Sequence, residues 1–392
     1  MPDPTAWACA STQKSGNMIE VRPVTTKQEQ KKFLDFPLDL YAGNPNFIPP
    51  LYLDEKKIFR KNYVYNSSCD SACFNAYKDG IIAGRIQAII QKDANAKNNE
   101  RRCRFTRYDV INDLEVSRAL FETAENWARE RGMDTIHGPL GYSDLEKEGM
   151  LIGGFKYPGT FLTPYNHPYY PEHVEALGYR KEVDYNGSYL YGAESNETFE
   201  EMEELVAFIF KRYKLHFGQA RNGREFMKKY ADGIFDLLDK SYKGLYGTVP
   251  FTPGMRKLMM ENFGLVISPK YAAIILDENE KPVCFGLAMP SLDPAFTLTR
   301  GHITPGLILR FISCRFWPKA IDMCLIGADP EYLNRGISAA LSLAIMRMFK
   351  AHPEIQYADT LLNLEENWAI QNQWKRFKRD IVKQYRCYVK SL

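Results

Sequence analysis

One order of sequence patterns occurs twice in this chain, and that repetition limits the folds open to it. The first pass opens with a short strand pattern at 19–23, a helical pattern over 27–40 and a Pro-rich loop at 43–50. Two apolar arms at 72–77 and 81–90 flank Lys78, Asp79 and Gly80, a turn signal, and read as a hairpin. Asn112 and Asp113 precede a run with Val116, Leu120, Ala124 and Trp127 on one helical face, and Gly132 stands just past its end. A strand at 135–138, a short helix ending near Leu177 and Gly178, and a strand reaching 191 close the pass.

The second pass follows the same order. A strand pattern at 215–220, a helix over 224–243 and a loop at 246–250 lead to a hairpin with arms at 271–276 and 283–289. Then come a buried strand at 323–327, a long helix after Gly336, a strand at 357–364, a helix, and a last strand near 385–389. An acidic stretch, 194–204, joins the passes and starts a connecting helix. Strands and helices interleaved this way predict an α+β fold with a mixed sheet, duplicated in tandem. With 392 residues the chain matches two domains, expected at 18–193 and 194–392, after a disordered tail at 1–17.

Charge and cysteine usage remove several functions. Lys and Arg number 51 against 48 Asp and Glu, a net charge of +3, which argues against a nucleic-acid partner held by bulk charge. No apolar run approaches the roughly 18 residues of a spanning helix, and residues 1–17 lack the apolar centre of a signal peptide. A cytoplasmic protein is expected. Cys69 and Cys73 form the close pair among eight cysteines, and none of the six histidines clusters nearby, so free thiols and no metal site are expected.

The segment from Met323 to Leu341 is the most informative. A buried strand enters a Gly-containing turn and then a helix with Ile337, Ala340, Leu341, Ala344 and Met348 on one face. The first turn of a helix leaves about four N–H groups unpartnered and carries partial positive charge. Gly336 permits a left-handed turn, Arg335 adds charge, and Ser338 and Ala339 bring little bulk, so a phosphate can approach those donors. The plain alternative is that Gly336 only turns the chain and Arg335 is solvated.

The stretch from Pro330 to Leu341 resembles motif A of the GCN5-related N-acetyltransferase (GNAT) superfamily, in which Arg/Gln-x-x-Gly-x-Gly/Ala cradles a coenzyme A pyrophosphate. Here Leu333 stands at the Arg/Gln place and Ser338 at the last small place. Glu365, Glu366 and Asn367, then Trp374 to Phe377, resemble the family's Asn…Tyr-x-x-x-Gly-Phe segment. A closer similarity runs through 36–51, 165–170 and 246–250, to a bacterial family of tandem GNAT proteins that includes the bacterial ceramide synthases.

The resemblance implies the mixed-sheet GNAT fold in tandem and transfer of an acyl group from acyl-CoA or acetyl-CoA to an amine, without a metal. The implied coenzyme residues are Leu325, Ile326, Gly327, Ala328, Asn334, Arg335, Gly336, Ile337, Ser338, Ala339, Asn367 and Trp374. In such a reaction the amine attacks the thioester directly, so it needs a base, and the carbonyl oxygen needs a donor such as an N–H of the 323–328 strand. Trp374 holds the place of the family's acid, and indole cannot supply a proton near neutral pH. Tyr246, His302, Glu365 and Asn367 are the candidates for the polar side, each with a structural reading beside the catalytic one.

In the first pass, Tyr108, Asp109, Val110, Ile111, Asn112 and Asp113 occupy the equivalent turn, with no glycine and two carboxylates. Repulsion there predicts one coenzyme site, in the second half. The acceptor is expected to be an amine, a sphingoid-type lipid amine in the leading reading. Acetylation of a small molecule or peptide, and a non-catalytic acyl-CoA-binding or scaffold role, are the alternatives. Between Pro305 and Pro318, the apolar stretch 306–317 carries Arg310 and Arg315. Its first reading is a core-packed helix; peripheral contact with the inner face of a membrane, or the wall of an acyl tunnel, is the other.

Overall fold

A capped helix and a buried carboxylate organise the first half of the computed structural model, which describes residues 18–192, 198–297 and 299–392. The expected tail at 1–17 and the expected junction at 193/194 lie outside the described residues. The chain forms two compact units. The first takes the chain to Asp184 with Arg300–His302 and Arg386–Leu392, and the second takes Tyr185–Thr299 and Ile303–Tyr385.

In the first unit the chain order is β1 (Ile19–Pro23), α1 (Lys27–Leu40), α2 (Tyr52–Glu55), β2 (Cys69–Lys78), β3 (Ile81–Gln91), α3 (Lys92–Asn98) and β4 (Arg102–Val110). Then follow α4 (Leu114–Arg129), β5 (Thr135–Gly138), β6 (Met150–Gly153), α5 (Tyr169–Ala176) and β7 (Arg180–Tyr191), whose later residues pass to the second unit. Strands β1 to β4 are antiparallel neighbours, and β4 pairs parallel with β5 over Arg102–Arg104 and Thr135–His137. Helix α4 forms because the Asp113 carboxylate accepts from the amides of Glu115 and Val116. Its buried stripe of Val116, Leu120, Phe121 and Ala124 packs on Ile86, Phe105 and Tyr179.

The second unit contains α6 (Phe199–Tyr213), β8 (His216–Phe217), α7 (Gly223–Ser241), α8 (Pro253–Val266), β9 (Ala273–Leu276), β10 (Pro282–Pro290), α9 (Asp293–Phe296) and α10 (Pro305–Phe316). It continues with β11 (Ala320–Ala328), α11 (Pro330–Leu333), α12 (Ser338–Ala351), β12 (Tyr357–Asp359), β13 (Asn363–Leu364), α13 (Trp368–Trp374) and the start of β14 (Lys378–Ser391). Strands β8 to β11 are antiparallel neighbours, and β11 pairs parallel with β12. Helix α12 lays Ala340, Leu341, Leu343 and Met348 into the core with Ile275, Ala288 and Ile321.

The mixed parallel and antiparallel pairing within each unit, with its helices, matches the expected α+β fold. Among the differences from the sequence reading, three concern strands. Strand β4 escaped it because charged side chains fill the strand: buried Arg85 pairs with Asp109 at 2.7 Å, and Arg107 holds Glu55 at 2.8 Å. The expected strand at 357–364 breaks into β12 and β13 where Leu361 adopts φ +55°. The last strand runs from Lys378 to Ser391, well beyond the expected 385–389.

That long strand matters to the first unit. Tyr388 to Ser391 pair antiparallel with β5, and the Tyr388 side chain is fully buried with its hydroxyl donating to Glu175 at 3.0 Å. In the second unit Tyr189 and Leu190 of β7 pair with β12. Each unit's sheet thus includes a strand end from the other half of the sequence. Replacing Tyr388→Ala is expected to lower stability by about 3–5 kcal/mol, the range for truncating a buried aromatic residue, as read from urea unfolding curves.

Candidate functional site

The candidate site is built where β11 leaves its parallel partner. The pairing covers three rungs, Ala320 with Tyr357, Ile321 with Ala358 and Asp322 with Asp359. Directly after it the register with β10 slips: Ala288 faces Met323 while Leu287 faces Leu325, so Cys324 is an extra residue. Such a bulge leaves a backbone position outside the ladder. At Gly327 an added Cβ would lie 2.5 Å from the Phe285 ring and 2.9 Å from Ser241 Oγ, so the strand passes where a side chain has no room.

After β11, Asp329 caps the short helix α11 through the Glu331 amide and pairs with Lys240 at 3.1 Å. The Arg335 guanidinium lies over the rings of Tyr332, at 4.7 Å, and Tyr213, at 5.3 Å. Gly336 follows with φ +78°, a conformation that favours glycine. Helix α12 then begins without a side-chain cap. Ile337, Ala339 and Ala340 are buried and anchor its first turn, which leaves that turn to present backbone. Arg376 Nη1 stands 3.5 Å from Ser338 Oγ and brings a second guanidinium to the same turn. Backbone donors, a helix dipole and two guanidinium groups match the chemistry of a pyrophosphate.

The equivalent turn of the first unit is closed by its own side chains. Asp113 takes the Glu115 and Val116 amides, and the Val110 amide donates to the Tyr170 hydroxyl at 3.0 Å. Asp109 accepts from Arg85 and lies 3.3 Å from the Tyr41 hydroxyl, which also donates to Tyr170 at 2.9 Å. Tyr41 in turn stacks on Phe47 and His167 at 4.3 and 4.7 Å. The stretches near 41–47 and 165–170 therefore build an aromatic stack.

Beside the bulge sits a buried charge cluster that sequence reading missed. Asp322 and Asp359 occupy one rung, and the Lys383 ammonium from β14 binds Asp359 at 2.9 Å with both groups almost fully buried. Asp322 is 1% exposed, and its Oδ2 has no hydrogen-bond partner. Burial first, then the charges of Asp293 and Asp359, push its carboxyl well above the usual range, against the pull of Lys383. The available signal was one acidic residue inside an apolar strand, Ala320-Ile321-Asp322-Met323.

The candidates named from sequence fall as follows. Leu325, Ile326, Gly327 and Ala328 lie in β11, Asn334 and Arg335 are exposed in the turn, and Gly336 to Ala339 open α12. Asn367 caps α13 by accepting from the Ile370 amide, with half-buried Glu365 just before it. Trp374 is buried, and its indole N–H donates to Asn363 Oδ1 at 2.6 Å. Tyr246 is half-buried in the turn between α7 and α8. His302 belongs to the first unit, where its ring lies 4.3 Å from that of Tyr52. No group of three or more His, Cys, Asp or Glu side chains among the described residues is placed to hold a metal ion.

The expected core packing of the 305–316 helix does not hold. In α10 only Leu307 is buried, while Leu309, Phe316 and the adjoining Trp317 are 68, 64 and 69% exposed. No helix among the described residues is long and apolar enough to cross a membrane.

No protein-family model matches the chain. Protein YghO of Escherichia coli is 25% identical over 405 aligned positions, covering all of both chains. The bacterial ceramide synthase of Caulobacter vibrioides is 31% identical over 295 positions, 73% of this chain and 74% of that protein. Among solved structures, a tandem GNAT protein from the clavulanic acid biosynthesis pathway superposes with a TM-score of 0.52 at 12% identity, over 95% of this chain and 98% of that one.

The raised Asp322 carboxyl sets a pH dependence. Because the folded state holds that proton above its unfolded titration near 3.9, its contribution to stability is complete below that pH and falls as pH rises toward the folded value. Asp322→Asn removes the effect. As pH rises above about 4 the variant is expected to gain on the natural protein by about 1.4 kcal/mol per pH unit until Asp322 ionises, read as a growing difference between their melting curves. A constant difference across pH would contradict the assignment.

Proposed function

Since the chain belongs to the bacterial ceramide synthase family of tandem GNAT-fold acyltransferases, we propose that its second unit transfers an acyl group from an acyl-CoA thioester to a lipid amine of sphingoid type. The observation that carries this reading is the uncapped first turn of α12, entered through Gly336 and flanked by Arg335 and Arg376. In the first unit the matching helix has its leading amides taken by Asp113, which favours one coenzyme site per chain.

In this reading the amides of residues 336–338 and the two guanidinium groups hold the pyrophosphate, and the thioester lies along β11 beyond Asp322. An amide freed by the bulge near Cys324 donates to the carbonyl oxygen as charge develops on it. The amine nitrogen forms its bond to the acyl carbon, the carbon–sulfur bond breaks, and the surplus proton on nitrogen passes to the Asp322 carboxylate. Burial raises the proton affinity of this carboxyl, and the ionised form is the stronger base for it. Lys383 keeps Asp359 paired, which leaves Asp322 as the proton acceptor of the rung. Asn367 and Trp374 act as the frame of the β13–α13 segment, through their bonds to Ile370 and Asn363.

The lipid character of the acceptor is supported by the similarity to the Caulobacter enzyme and by α10. Exposed Leu309, Ile312, Phe316 and Trp317, with Arg310, Arg315 and Lys319 in the same stretch, have the composition of a helix that lies on an anionic bilayer.

Thiol release measured with hexadecanoyl-CoA and sphinganine should exceed that with acetyl-CoA and a panel of small amines and peptides. The reverse order supports acetylation of a small acceptor, and coenzyme A binding without release under any pairing supports a binding or scaffold role. Titration calorimetry should give one coenzyme A per chain, and Asp322→Asn should lower kcat by about 10²–10⁴ with binding retained. Replacing Leu309 and Phe316 by Glu should abolish sedimentation with anionic liposomes while the circular dichroism spectrum stays that of the natural chain.

A further inference from the structure

Strand β11 has two faces at the bulge. Asp322 points to one of them and its neighbours Ile321 and Met323 to the other, as alternation along a strand requires. On the Met323 face, beneath helix α12, lies a cavity of about 50 Å³ lined by β9, β10, β11, β12 and α12. That is room for roughly four water-sized groups. Its wall is apolar apart from Lys270 and Tyr271, and small or flexible residues form much of it: Gly286 and Ala288 from β10, Met323 from β11, Ala344 and Met348 from α12. Ala358, on the last strand to pair with β11, also contributes.

Leu or Ile at Ala288 and Ala344 would close such a space, and a packed core has few voids of this size. Even glycine at position 286 is not forced by crowding. An added Cβ there would meet Leu341 Cδ2 at 3.4 Å and Ile326 Cγ1 at 3.8 Å, both ordinary contacts. The emptiness is therefore a property of the residues chosen, at the one place where β11 and β12 have just parted. An apolar cavity takes apolar ligands, and the two methionines can swing aside to lengthen it.

We propose that this cavity receives the acyl chain of the thioester, and that Gly286, Ala288 and Ala344 set the length it accepts. The inference rests on the acyl-CoA reading given above and adds to it where the chain goes. The acyl chain turns to the α12 side of β11, and the amine reaches the carbonyl from the Asp322 side, so the two substrates do not compete for space. The donor is then an acyl group several carbons longer than acetyl.

The test compares coenzyme A, acetyl-CoA and octanoyl-CoA by titration calorimetry on the full chain. Octanoyl-CoA is expected to bind at least tenfold more tightly than coenzyme A or acetyl-CoA. In Ala344→Leu, and in the milder Gly286→Ala, that advantage should shrink by about tenfold and threefold while coenzyme A affinity and the melting temperature hold. Equal affinity for the three ligands in the natural chain overturns the proposal. So do variants in which octanoyl-CoA and coenzyme A weaken together. If coenzyme A itself does not bind, the acyl-CoA reading falls, and this inference with it; that result is distinct from coenzyme A binding that gains nothing from an acyl chain.

Discussion

The short parallel pairing between β11 and β12 is the constraint on which the second unit turns. Three rungs hold the strands together through Asp322 and Asp359, and beyond them β11 continues beside β10 alone. Had the pairing continued, the bulge at Cys324 and the entry to α12 would face another backbone. The first unit repeats the device, with β4 and β5 joined over three rungs. What separates the units is the helix that follows. Asp113 satisfies the start of α4, while α12 starts after Gly336 without a side-chain cap. A single carboxylate at the cap thus distinguishes the two helix starts within one architecture.

The buried cluster under β11 works against stability. An unpaired carboxyl oxygen at Asp322, beside the Lys383–Asp359 pair, is a poor way to fill a core. Two cross-strand acidic residues on one rung also repel when both are ionised. The small-residue wall on the opposite face of the same strand follows the same pattern, since it forgoes packing that larger side chains would provide. Both departures from a well-filled core sit within a few residues of β11, on either side of the place where the strand becomes free.

Much of the architecture was legible in the residues. The cap at Asp113 with its apolar stripe, the turn at Asp79 and Gly80, and the Gly336 entry to a helix are local signals, and each element stands where they put it. Strand β4 was not legible, because Arg104, Arg107 and Asp109 look solvent-facing until Glu55 and Arg85, distant in sequence, are seen to pair with two of them. The site divides the same way. The Gly336 turn is continuous in sequence and could be read directly as a candidate. Asp322, Asp359 and Lys383 come from three strands, and only the sheet brings them together. Helix α10 departs from its reading for a different reason: its composition suits a core or a lipid surface equally, and burial alone decides between them.

Strands β7 and β14 each begin in one compact unit and end in the other. A duplicated gene normally leaves two modules free to be lost, recombined or inherited apart. Here a deletion of either copy would strip a strand from the survivor and expose a row of unsatisfied amides and carbonyls to aggregation. The tandem has become indivisible. Selection acting on either copy therefore preserves the other.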